Sequence, residues 1–103
     1  MVFIESTFFS KILSRYLADE EYRVFQWYLF ENPETGDVVP GSGGVRKIRW
    51  SRKGGGKRGG LRVIYFFKKS ESEIWLLTIY SKTEKASIPA RVLKQIREEI
   101  EDD

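Results

Sequence analysis

A chain of 103 residues, 41% hydrophobic and 15% aromatic, has apolar material for one packed core but not two, so it reads as a single domain over 1–103. It has no cysteine and no histidine, which removes disulfides, thiolate chemistry, most metal sites and the usual general base. The net charge of +3 is modest and no apolar run approaches the roughly 20 residues that span a bilayer, so the expectation is a cytoplasmic protein with no membrane, metal or cofactor.

The short apolar run "VFIE" (Val2 to Glu5) suits a strand. From Thr7 the residues Phe8, Phe9, Ile12, Leu13, Tyr16 and Leu17 recur at three- and four-residue spacing, which predicts an amphipathic helix capped by Ser6 or Thr7. Asp19 is the expected cap of a second helix through "EEYRVFQWYLF", ended by Pro33, and the short link makes the pair a helical hairpin. The segment "NPETGDVVPGSGG" is rich in turn formers and reads as a loop.

The period then changes from helical to two. In "VRKIRW" the alternation sets Lys47 and Arg49 on one face and Ile48 and Trp50 on the other. The strand "LRVIYFFKK", the polar turn "SESE" and the strand "IWLLTIYS" follow, so three strands form a meander. In "SIPARVLKQIREEI" the stripe Val92, Leu93, Ile96 and Ile100 predicts a third helix starting near Ser87 and Pro89. The fold class is α+β: an antiparallel-dominated sheet of about four strands, two N-terminal helices and a C-terminal helix, with helices on one face and the other face open.

The distribution of charge is more informative than its sum. Between Asp37 and Glu71 there is no acid, while Arg46, Lys47, Arg49, Arg52, Lys53, Lys57, Arg58, Arg62, Lys68 and Lys69 fall there. Segregation of this kind builds a field that attracts polyanions. At its centre lies "SRKGGGKRGG". Gly54, Gly56 and Gly59 satisfy G-x-G-x-x-G, but a strand follows where a dinucleotide fingerprint needs a helix, and Arg58 stands where a P-loop needs Ser or Thr. The favoured reading is a basic finger that contacts a nucleic-acid backbone, with a plain hairpin connection as the alternative. Trp50, Tyr65, Phe66 and Tyr80 lie near these cations and are either core residues or stacking surfaces for bases.

The succession "GSGGVRKIRW", "GKRGGLRVIYFF" and "LLTIYSKTEKASIP" resembles the RelE/ParE superfamily of bacterial toxins, most closely its HigB-like branch, and the likeness runs over nearly the whole chain. The resemblance implies a sheet-and-helix ribonuclease that enters the A site of the ribosomal 30S subunit and cuts translated messenger. It also implies a partner, an antitoxin of the DNA-binding HigA type, that holds it inactive. On this resemblance Lys47, Arg49, Arg62 and Lys82 carry catalysis, and Arg46, Arg52, Lys53, Lys57, Arg58, Lys68 and Lys85 contact RNA or ribosome. Two positions depart from the RelE pattern: Thr83 stands where an arginine is expected and Pro89 near an expected tyrosine.

Metal-independent RNA cleavage needs a group to take the proton of the 2′-hydroxyl, one to give a proton to the leaving oxygen, and cations for the phosphorane. Lys47, crowded by like charge, is the leading base candidate, and Arg62 and Arg49 suit the phosphorane because a guanidinium binds phosphate bidentately. The rival readings are a ParE-like inhibitor of DNA gyrase and a non-enzymic nucleic-acid-binding domain.

Overall fold

The computed structural model describes residues 1–51, 60–84 and 88–102. The chain runs β1 (Val2–Glu5), α1 (Thr7–Ile12), a 3₁₀ turn over Leu13–Arg15, α2 (Asp19–Glu31), β2 (Asp37–Val38), β3 (Arg46–Ser51), β4 (Gly60–Lys68), a second 3₁₀ turn, β5 (Glu73–Ser81) and α3 (Ala90–Asp102). The fold is α+β. Its sheet has five strands rather than about four, in the order β1-β5-β4-β3-β2, and it is mixed. The expected meander is present as the antiparallel β3, β4 and β5, while β1 joins parallel to β5. The added strand is β2, two residues of the expected loop that pair with the start of β3.

Local chemistry sets the helix ends. Ser6 caps α1: its hydroxyl oxygen accepts from the N–H of Phe9 at 3.0 Å and donates to the carbonyl of Leu77 at 2.9 Å, which fixes the helix to β5. Asp19 proves to be the first residue of α2 rather than its cap. Ala18 holds the cap position, and its N–H donates to the Glu21 carboxylate at 2.9 Å. Asp19, Glu20 and Glu21 put negative charge in the first turn, where the helix dipole favours it. The helix stops at Glu31, before Pro33.

Both sheet faces carry helices, which corrects the expectation of an open face. Phe9, Ile12, Phe25 and Leu29 from α1 and α2 pack with Ile48, Val63, Tyr65, Leu76 and Ile79 on one side. Leu93 and Ile100 of α3 pack with Val45, Ile64, Phe66, Leu77 and Tyr80 on the other. β4 and β5 are therefore buried on both faces, and a strand in that position has apolar residues throughout rather than in alternation. A register shift beside Ile64 and Tyr65 leaves Leu77 without a cross-strand partner. Among the described residues no helix is long and apolar enough to cross a membrane.

Candidate active site

The pairing register builds a cationic row from two strands. On β3 the side chains alternate, so Lys47 and Arg49 leave the sheet on the face opposite to buried Ile48. Arg49 lies directly across from Arg62 of β4, and Arg62 directly across from Tyr80 of β5. Lys47 faces Ile64, a member of the α3-side core, so the row shares a face with α3. The expected cationic face is thus the part of the sheet next to the α3 core.

The surroundings differ from residue to residue. Arg49 is exposed, Lys47 and Arg62 are half-buried, and Tyr80 is 7% exposed. One guanidinium nitrogen of Arg62 donates to the carbonyl of Leu61 at 3.2 Å. It passes over Gly60, where a Cβ would come within 3.4 Å of it, so glycine gives it room. Asp37 of β2 lies across from Lys47, which places one carboxylate at the outer end of the row. Burial raises the Tyr80 phenol above its ordinary value while Arg62 pulls the other way. With a net upward shift the hydroxyl stays protonated at neutral pH, so Tyr80 is a donor rather than a base.

Lys82 belongs to the same end of the sheet. Its N–H donates to the carbonyl of Gly60 at 3.0 Å, which ties the turn after β5 to the start of β4. Within that turn the Glu84 carboxylate accepts from the Tyr16 hydroxyl at 2.9 Å and from the N–H of Ser81 at 3.1 Å. The chain leaves β3 at Ser51 and re-enters β4 at Gly60, and these two are register partners at that same end. The basic finger, with Arg52, Lys53, Lys57 and Arg58, and the candidate Lys85 lie outside the described residues.

No protein-family model matches this chain.

Two candidate cations stand apart from the row. Arg46 projects to the other face, where its guanidinium donates to the carbonyls of Glu34 at 2.8 Å and Gly36 at 2.7 Å and pairs with the Glu34 carboxylate at 3.6 Å. It ties the loop after α2 to the sheet. Lys68 is at the opposite end of β4, six residues or about 20 Å from Arg62 at the rise of a strand. Its ammonium donates to the carbonyl of Ile100 at 3.3 Å, a favourable place for a cation near a helix C-terminus. Of the four aromatics, Tyr65 and Phe66 are core, and Trp50 packs edge-on against Phe25 at 5.0 Å between ring centroids. Tyr80 is the one of the four that lies directly across from Arg62 of the row, and the sequence offered it only as a core residue or a stacking surface, because that partner depends on register. Among the described residues no three acidic side chains cluster as a metal site.

Proposed function

We propose that this protein is the toxin of a type II toxin-antitoxin pair, a metal-independent endoribonuclease that cuts translated messenger in the ribosomal A site and so inhibits translation. The observation that carries the reading is the pairing of Arg49 with Arg62 directly across β3 and β4, with Tyr80 directly across from Arg62. Like charges directly opposite on neighbouring strands cost stability, so two arginines there are explained by an anion that sits between them. The resemblance of the sequence to the RelE/ParE toxins supports messenger phosphate as that anion. The working place is then the cytoplasm, and the partner is a cognate antitoxin of the HigA type.

Lys47 accepts the proton of the 2′-hydroxyl, whose oxygen attacks the adjoining phosphorus. Arg49 and Arg62 hold the non-bridging oxygens and stabilise the extra charge of the phosphorane. The bond from phosphorus to the 5′-oxygen then breaks, and Tyr80, kept protonated by burial, gives that oxygen its proton. The products are a 2′,3′-cyclic phosphate and a free 5′-hydroxyl. Lys82 and the cations of the basic finger contact the flanking backbone.

The test is brief induction in cells followed by mapping of RNA 5′ ends, with Arg62→Ala as control. Cuts inside translated codons that disappear in the variant are expected. Intact messenger under the wild-type protein overturns the reading, and broken DNA in its place points to gyrase.

A further inference from the structure

α2 buries one side only. Phe25 and Leu29 enter the core, while on the opposite side Val24 is 60% exposed, Trp27 63% and Phe30 47%. Trp27 and Phe30 stack on each other with ring centroids 5.4 Å apart, so the helix presents a continuous aromatic plate to solvent. A hollow of about 260 Å³ opens beside them, lined also by Phe3 of β1, and gives room for a further ring. Contiguous apolar patches of this kind mark interaction surfaces, and tryptophan is prominent among the residues that anchor them. Charge narrows the choice of occupant. α2 carries Asp19, Glu20, Glu21 and Glu31 against the single cation Arg23, which disfavours nucleic acid and an anionic lipid surface.

The pattern on this side of the helix is symmetric about Trp27. At about 100° per residue, Arg23 and Val24 before it and Phe30 and Glu31 after it all lie within about 60° of Trp27, and all are exposed. If two such helices pack antiparallel about a two-fold axis, Trp27 meets its own copy. Val24 then comes level with Phe30 of the second copy, and Arg23 level with Glu31. Apolar meets apolar and cation meets carboxylate on both sides of the axis, the self-complementarity that an isologous interface requires. A parallel pairing would instead set Arg23 against Arg23 and Glu31 against Glu31. Among the described residues neither Arg23 nor Glu31 forms an ion pair within its own chain. We propose that this face of α2 is a self-association surface, on which a second copy of the chain packs antiparallel about an axis at Trp27. The cationic row lies on the sheet face next to α3, so the pairing leaves it uncovered in both copies.

The experiment is sedimentation equilibrium of the purified protein from about 1 μM to about 500 μM, with thermal melts to establish that each variant is folded. Expected is a reversible dimer with a dissociation constant on the order of 10 μM, as suits one helix face at the low end of interface size. Trp27→Ala should raise that constant roughly tenfold or more. Arg23→Glu and Glu31→Arg should each raise it about threefold or more, and the two together should return it to within about twofold of wild type. That rescue is specific to antiparallel packing, because a parallel pair has like charges opposed in all four of these proteins. A wild-type chain that stays monomeric at the highest concentration overturns the proposal and leaves the face to a partner of another kind. A dimer unaffected by Trp27→Ala, or a double variant as weak as the single ones, overturns it as well.

Discussion

Arg49 and Arg62 are the residues at which stability and activity pull in opposite directions. Their Cβ atoms, as direct cross-strand partners, sit about 5 Å apart, and such like-charge pairs cost roughly 0.2–1 kcal/mol. Replacing Arg49 with Gln removes the repulsion and one phosphate ligand together. The expected outcome is a melting temperature about 1–5 °C higher at low salt, a gain that shrinks as salt is added, with messenger cleavage lost. A melt that is lower, or higher by the same amount at all salt concentrations, speaks against repulsion within this pair. Tyr80 tests a different property. Tyr80→Phe keeps the ring that packs with Ile64 and Leu77 and deletes only the hydroxyl, so the fold should persist while cleavage falls by about 10²–10⁴, the range of a lost general acid. If cleavage survives within a few-fold, the proton comes from another donor, in protein or ribosome.

At the level of elements, period and punctuation carried most of the fold. The shift from helical to two-residue spacing marked two N-terminal helices and the three-stranded meander, with Ser6 capping α1 and α2 ending ahead of Pro33, but α1 stops at Ile12 and passes into a 3₁₀ turn where the spacing ran on to Leu17. The burial of both sheet faces was also written in the chain, since "LRVIYFF" and "IWLLTIY" are apolar without alternation, as doubly covered strands are. What the pattern could not supply was register. The shift beside Ile64 and Tyr65 decides which residues of β4 and β5 face each other, so the contact of Tyr80 with Arg62 has no local signature. Arg46 shows the same limit from the other side. It belongs to the basic run by sequence, but strand alternation turns it to the far face, where it and Tyr65 hold the loop after α2. The Tyr65 hydroxyl donates to the carbonyl of Pro33 at 3.0 Å and accepts from the N–H of Gly36 at 2.9 Å. Gly36 has no space for a side chain, because a Cβ would lie 2.9 Å from the Tyr65 ring. Tyr65→Phe leaves both backbone groups without this partner and should cost about 1–3 kcal/mol in urea unfolding, with the denaturant slope unchanged. A loss below 0.5 kcal/mol would mean that water replaces the hydroxyl at little cost.

Across the whole molecule, stability has a defined alkaline limit because three phenols are held neutral in different parts of the structure. Tyr65 lies in the core under α2, Tyr80 in the core under α3, and Tyr22 on α2 donates to the Glu5 carboxylate of β1 at 2.7 Å. Burial raises all three, and for Tyr22 the hydrogen bond to Glu5 and the charge of that carboxylate raise it further. In the unfolded chain each ionises near the ordinary value of 10.0. Above that pH the folded state therefore holds more protons than the unfolded one, and stability falls as pH rises. The contribution of these groups is fully present below about pH 10 and is lost on going up from there toward the raised folded values. Each phenol adds at most about 1.4 kcal/mol per pH unit to the slope, and Tyr22, only half covered, adds less because solvent screens it. Tyr22→Phe should lower stability at pH 8, where its bond to Glu5 is lost, yet flatten the decline between pH 10 and 11.5 relative to wild type. Urea midpoints at four or five pH values on both proteins give the two slopes. Parallel declines would show that Tyr22 ionises alike in the folded and unfolded chains, and that the junction of β1 with α2 does not hold its proton.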